Sequence, residues 1–572
     1  MLNRNLILVF GFFISIFTLF FLFSHKLKLG IYPTHEMHFY DTDIFLRYLI
    51  NYEKLGILKI YFAQIKTLPS VEYENLKSRI VYADFPPGSV LFTYIVFKLF
   101  NIKILLENLI NFNLVLYYIT LINVSLFFYI YYYKIYNLNK YFSVLFILSV
   151  LFFLTNPSLN FWMHLTLHYQ SFGIFFQSLL ILIVCLKDYK YINIKYYNAL
   201  ILIFGFIGLI SDIIILFFFF CLIIKELLEN NLRILITIQK SKIYLLTIFL
   251  ASCFCILHWF LTNFDIISVI LHRSSISEDG RKELFEIINI PKFFIRQYSL
   301  VLTVILILLS IFTIIEFIKE LFSKLRKFEI LKVALIFLFP SLIYMIMFTN
   351  HFSTHNFVLM HLYFPIIFIL FISAPKFILG YKNNSFNYLL FCTYLIFLLL
   401  INFSFYKSIF TMYPGLGVKY KDAAIFVEKN TNYYDVVFTE NFPMYYVPPQ
   451  LTNISNKNIH PISNYEDIKK FVNCMKVKRP NQYFRIKLFS KNLSNKIINQ
   501  FSNSKIISYK NYFLIDVTDH FIQIKKDLKK EIGFSYSFND NSKECHIDLP
   551  RLDKYSNVKF QWDPRYYYYL IK

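Results

Sequence analysis

Four carboxylates near the start of this chain, Glu36, Asp41, Asp43 and Asp84, are the residues best placed by type and spacing to do chemistry. His35 and His38 stand among them. Asp41-Thr42-Asp43 is a D-x-D triplet. In an extended or turn conformation its two carboxylates point the same way, which suits sharing a divalent cation such as Mg2+ or Mn2+, or pairing a general base with its orienting neighbour. Asp84-Phe85-Pro86-Pro87-Gly88 is more constrained, because two consecutive prolines fix the backbone and Pro86 forces Phe85 to be extended. Asp84 is thereby held at a defined point ahead of the next apolar segment. Any one of these acids also fits an ordinary solvated loop with Pro-Pro as helix punctuation; their combination argues for a site.

The surroundings make that combination informative. Of 572 residues, 57% are hydrophobic and 16% charged, and the mean hydropathy of +0.51 is too high for a soluble protein of this size. The chain reads as a polytopic α-helical membrane protein. Its net charge of +23 does not signal nucleic acid, because Lys and Arg are scattered between apolar runs and along a polar tail, with no basic helix or aromatic-basic repeat.

The apolar run 6–23 follows Arg4, lacks a small-residue cleavage site and reads as a retained first helix, not a signal peptide. Further stretches suited to about 30 Å of hydrocarbon cover 109–132, 141–154, 172–186, 244–264, 299–318, 331–348, 357–371 and 389–405. Residues 199–224 read as two short helices broken at Ser211-Asp212. The sum is about eleven spans, so the two ends face opposite sides. Lysines at 134 and 140, and within 187–195, 225–242, 319–332 and 376–382, fall in alternate short connections, which the positive-inside rule makes cytoplasmic. The N-terminus is then cytoplasmic. The connections 26–108, 156–170, 265–298 and 350–356, with the tail after 406, are extracytoplasmic. All thirteen histidines lie on that side or at the end of a span facing it.

The expected division is a membrane unit, 1–406, with its large first outer loop 26–108, and an extracytoplasmic α/β domain, 407–572. Within the tail, 420–430 and 465–475 are helix-like, and 435–438, 483–489 and 506–517 are strand-like. It holds no phosphate loop, nucleophile elbow or zinc spacing, so it reads as an acceptor-binding or stability module. Five cysteines (Cys185, Cys221, Cys253, Cys255, Cys392) lie in apolar segments, leaving Cys474 and Cys545 as the one pair a disulfide could join.

Three passages resemble the GT-C glycosyltransferases, the polytopic class that uses polyprenyl-phosphate-linked sugars and includes the protein O-mannosyltransferases. Tyr40-Asp41-Thr42-Asp43-Ile44-Phe45 with Arg47-Tyr48 is similar to the family's acidic first-loop motif. Asp84-Phe85-Pro86-Pro87-Gly88 resembles the D-Y-P-P segment that closes that loop. Ser353-Thr354-His355-Asn356-Phe357 with Tyr363-Phe364-Pro365 is similar to a His-then-aromatic pattern opening a late helix. The resemblance covers 1–410 as architecture but only these stretches as motif. There are departures: His35-Glu36 and Asp41-Thr42-Asp43 compete for one acidic dipeptide, and Ser211-Asp212 stands where relatives often have Thr-Lys between paired short helices, which removes a cation from phosphate recognition.

The resemblance implies transfer of a sugar from a polyprenyl-phosphate donor to an acceptor hydroxyl on a lipid, glycan or protein. It implies Asp41 as general base, Asp43 as its partner or a metal ligand, Asp84 as a second orienting acid, and Glu36 in reserve. Arg273, Arg296, His355 and His351 are the substrate-binding candidates, facing the departing phosphate. A bacterial inner membrane is the expected location. Arg273 and Arg296 equally fit snorkelling interface residues. His351 with His355, and His164 with His168, have the i, i+4 spacing of a helical metal pair, although interfacial histidines satisfied by water or backbone share it. Asp212 is the one acid between two apolar half-helices, a functional hypothesis by default, but simply hydrated if the break reaches the surface. The rival readings are a transporter or flippase, which should line several spans with charge, a polymerase or ligase of lipid-linked glycans, and a non-catalytic anchor for the tail.

Overall fold

In the computed structural model, the described residues are 36–65, 68, 81–82, 86–136, 169–262, 295, 300–322, 329–348 and 360–379, with most of 390–401, 421–439, 459–478 and 483–522. The expected spans at 6–23 and 141–154 lie outside them.

Helix α1, Glu36–Leu55, forms because Phe45, Tyr48, Leu49, Tyr52 and Leu55 recur at helical spacing and are all buried, while Glu53 and Lys54 remain exposed. A two-residue antiparallel ladder of β1 (Gln64–Ile65) and β2 (Val81–Tyr82) follows, then α2, Gly88–Leu99. Helices α3 (Leu106–Tyr136) and α4 (Tyr169–Asp188) are the first pair long and apolar enough to cross a membrane. They are tied inside the bundle by Asn123 donating to Ser178 Oγ at 3.1 Å.

Helices α5 (Ile194–Leu209) and α6 (Ile214–Glu229) are the expected short pair. At 1.5 Å per residue each is about 24 Å long. The short α7 (Ile234–Lys240) leads into α8 (Lys242–Thr262), which with α9 (Leu300–Phe322) makes the second long apolar pair. Only 28% and 22% of the apolar windows of α8 and α9 are buried. Exposed Leu246, Phe249, Leu257, Ile307 and Ile311 leave these helices with faces that only lipid would cover. This is a membrane protein.

Helices α10 (Glu329–Phe337) and α11 (Phe339–Met347) are bent by 48° where Pro340, which has no N–H, follows the break. Helix α12 (Tyr363–Phe368) passes through a π turn, Ile369–Ser373, into α13 (Ala374–Leu379). The π turn ends on Ser373, whose hydroxyl meets that of Thr313 at 2.6 Å.

In the tail, α14 (Lys421–Asn430), β3 (Asp435–Thr439), β4 (Ile459–Pro461), α15 (Tyr465–Lys478), β5 (Arg485–Ser490), α16 (Asn495–Gln500), β6 (Lys505–Tyr509), β7 (Tyr512–Asp516) and α17 (Thr518–Phe521) build one sheet of order β4-β3-β5-β7-β6. Strand β3 is parallel to β4 and β5, and β7 is antiparallel to both its neighbours. Both faces are covered: Val436, Phe438, Ile486 and Leu488 pack with Ile468 and Phe471, and Val437 and Phe489 pack with Ala423, Ala424 and Val427. This explains why β3 reads as an unbroken apolar run. The single strand expected over 506–517 is instead a hairpin, turned at Lys510, whose φ is +54°. Cys545 and the side chain of Cys474 lie outside the described residues.

Candidate functional site

The Pro-Pro-Gly passage of the first loop meets the bundle at the turn between α5 and α6. That turn closes on itself: Asp212 N–H donates to the Gly208 carbonyl at 2.9 Å, Ser211 Oγ donates to the Ile207 carbonyl at 2.7 Å, and Asp212 Oδ1 accepts from Ile214 N–H at 3.0 Å. The Ile210 carbonyl accepts from Gly88 N–H, the last residue of the Pro-Pro-Gly segment, at 2.7 Å. A Cβ on Gly88 would lie 2.4 Å from that oxygen, so only glycine permits the contact. On the other side, a Cβ on Gly173 of α4 would lie 2.4 Å from Asp212 Oδ2.

A further wall among the described residues is His361. Its Nε2 is 3.5 Å from Asp212 Oδ2, both side chains are fully buried, and the imidazole lies against the Tyr344 ring at 4.7 Å. An acid and an imidazole this close, both removed from water, are electrostatically coupled. The hydroxyls of Ser89, next to Gly88, and Ser171, two residues before Gly173, are buried with no hydrogen-bond partner among the described residues. The expectation of an Asp212 hydrated at the surface is therefore overturned: its side chain is fully buried, with Gly173 and His361 against it. Further polar side chains, Asn113, Asn123, Gln170 and Gln177, are buried along α3 and α4.

Helix α1 is fixed to the same end of the bundle. Phe45 stacks on Phe172 at 5.8 Å, the Tyr169 hydroxyl donates to Gln64 Oε1 at 2.6 Å, and Asn51 Nδ2 donates to the Ile65 carbonyl at 3.0 Å. Beyond α1, Tyr61 and Phe62 both adopt left-handed φ, +51° and +60°, costly for aromatic residues. Each carbonyl is captured: His258 Nδ1–H donates to Tyr61 at 3.0 Å, and the Tyr52 hydroxyl donates to Phe62 at 2.8 Å. On the exposed side Lys98, 2.7 Å from Glu53, holds that carboxyl below its usual range, with the Tyr94 hydroxyl helping.

The predicted residues divide clearly. Glu36, Asp41 and Asp43 lie in the first turns of α1, so the D-x-D backbone is helical, not extended or turned. Positions two apart on a helix do not share a face, and the shared-cation argument from an extended strand no longer applies. Asp84, Arg273, Arg296, His351 and His355 lie outside the described residues. Among the described residues, no three His, Cys, Asp or Glu side chains gather as a metal site. His361 is the functional candidate that sequence reasoning missed; its signal was an imidazole inside the apolar run 357–371.

No protein-family model matches the chain, and no curated protein does. Among solved structures, the apo state of ArnT from Cupriavidus metallidurans is similar over 85% of this chain and 94% of its own, at 8% identity and a TM-score of 0.35. That likeness is too loose to carry an argument about fold or activity.

Proposed function

We propose that this membrane protein is a glycosyltransferase of the GT-C type, transferring a sugar from a polyprenyl-phosphate donor to an acceptor hydroxyl on the extracytoplasmic face of a bacterial plasma membrane. The observation that carries the reading is the anchoring of the acid-bearing loop: α1 and the Pro-Pro-Gly turn are packed onto the bundle end that holds Asp212 and His361. A loop serving only as a connection has no need of a glycine-tight contact and two captured left-handed carbonyls.

The chemistry asked of the site is limited, because the donor is already activated. Asp41 takes the proton of the acceptor hydroxyl as its oxygen bonds to the anomeric carbon, and the bond from that carbon to the phosphate oxygen breaks. Asp43 and Asp84 orient base and acceptor, with Glu36 as the alternative base. Arg273, Arg296, His355 and His351 neutralise the departing polyprenyl phosphate. Mg2+ or Mn2+ enters only if Asp41 and Asp43 bind it separately with other groups. Residues 407–572 sit outside the membrane and serve acceptor binding or stability.

The test is release of polyprenyl phosphate from a panel of polyprenyl-phosphate sugars by the purified protein, with and without Mg2+ or Mn2+. Asp41→Asn is expected to lower the rate by about a hundredfold or more. Full activity in that variant would remove Asp41 as base; failure with every donor would remove the transferase reading. One observation favours transport instead, since the buried Asp212 and His361 resemble the paired groups of proton-coupled carriers. Substrate flux in proteoliposomes that Asp212→Asn abolishes would establish that alternative.

A further inference from the structure

Helices α4, α5 and α6 run from the Asp212 turn to a second polar site about 24 Å away, at the opposite end of the bundle. There a cavity of about 940 Å³ opens between α4, α5, α6, α8 and α10, within the size range of small-molecule sites. Six lysines line it, Lys187, Lys190, Lys225, Lys240, Lys242 and Lys332, against three carboxylates, Asp188, Glu226 and Glu229.

The carboxylates are already engaged. Lys225, almost wholly buried, lies 2.9 Å from Asp188 and 2.7 Å from Glu229. Lys187 lies 2.7 Å from Glu226, which also accepts from the Tyr244 hydroxyl at 3.3 Å. The other four lysines have no carboxylate within ion-pair distance among the described residues. Lys240 donates to Asn230 Oδ1 at 2.6 Å, and Lys332 is felt by Glu229 only at longer range. The acids thus hold two lysines rigidly while the cavity keeps an excess of three positive charges.

Its rim identifies the source of a matching anion. Helix α7 delivers Lys240 to the cavity while exposing Ile234, Leu235 and Ile238, and Ile194 and Leu245 are exposed on the adjoining helices. A short helix with exposed aliphatic side chains and a lysine at its end is suited to the plane where acyl chains meet headgroups. Basic pockets between helix ends at that level take lipid phosphates.

We propose that this cavity is a binding site for the phosphate headgroup of an anionic phospholipid. Lys190, Lys240, Lys242 and Lys332 contact the phosphate oxygens, and Lys225 with its two carboxylates forms the fixed floor. The proposal stands apart from the transferase reading and survives its failure.

Native mass spectrometry of the full chain in detergent, titrated with phosphatidylglycerol, cardiolipin or phosphatidylcholine, tests it. Retention of the two anionic lipids at least tenfold above phosphatidylcholine is expected. The triple variant Lys240→Gln, Lys242→Gln, Lys332→Gln should lose that preference, and Lys332→Gln alone, which breaks no ion pair, should weaken it severalfold at an unchanged melting temperature. Equal binding of all three lipids, or an unaltered preference in both variants, overturns the proposal. Displacement of the lipid by inorganic phosphate at comparable concentration overturns the lipid source and leaves a soluble phosphate site.

Discussion

The two ends of the helix bundle bury polar groups in opposite ways. At the Asp212 end one carboxylate and one imidazole are fully buried, and the contacts at the glycines are so close that a methyl group has no room. At the lysine end nine charged groups share an open cavity, and flexible side chains span the gaps. The difference is one of tolerance. Backbone-to-backbone fit depends on shape and fails abruptly, whereas a lysine network re-forms around single losses unless its centre is removed.

Lys225→Met removes that centre, leaving Glu229 without its ion-pair partner and Asp188 with only the longer contact to Lys187 at 3.8 Å. Among single substitutions here the loss should be greatest, about 3–5 kcal/mol, read as thermal denaturation in detergent. A Lys225→Met protein as stable as wild type would erase the contrast between the ends. Gly88→Ala should follow at about 2–4 kcal/mol, since overpacking against the Ile210 carbonyl is compounded by loss of the Gly88 N–H bond. Gel-filtration profile and melting temperature report it.

Asp212→Asn is the sharper probe of the buried end. The amide oxygen still accepts from Ile214 N–H, so stability should change by about 1 kcal/mol while the link to His361 is lost. Combined with His361→Gln, the two changes should be less than additive in melting temperature, and strict additivity would mean that the two groups are not coupled. The smallest effect concerns Glu53 and Lys98 on the exposed face of the first loop. The folded carboxyl titrates below its unfolded value of about 4.3. Its contribution is therefore present above that pH and lost as pH falls through the folded value. Because both side chains are half-exposed, it amounts to about 0.3 kcal/mol. Lys98→Met should cost that at pH 7 and nothing at pH 2, by melting temperature in each buffer.

What the sequence revealed followed from local pattern. Apolar length marks α3, α4, α8 and α9, and the alternation of period marks α14, β3, α15 and β5 nearly to their ends. What it concealed depended on distance or context. Asp41-Thr42-Asp43 taken alone reads as extended or turned, yet the buried stripe from Phe45 to Leu55 draws the whole segment into a helix. His361 and Asp212 are far apart in the chain, and nothing local in either predicts the other. The lysines of 187–195, 225–242 and 332 served only as markers of orientation; their convergence on one cavity is a property of the helix ends. The hairpin turns through Lys510-Asn511, and Asn without a following Gly is a weaker signal than the Asn-Gly or Asp-Gly pair that announces most two-residue hairpins.

The Gly88 contact also bears on motion. Because the Ile210 carbonyl holds the end of the first loop, and that turn is itself wedged against Gly173, α2 and the α5–α6 turn cannot separate without breaking a buried backbone hydrogen bond. The Pro-Pro-Gly segment is therefore a fixed end of the acid-bearing loop, tied to the bundle by its backbone.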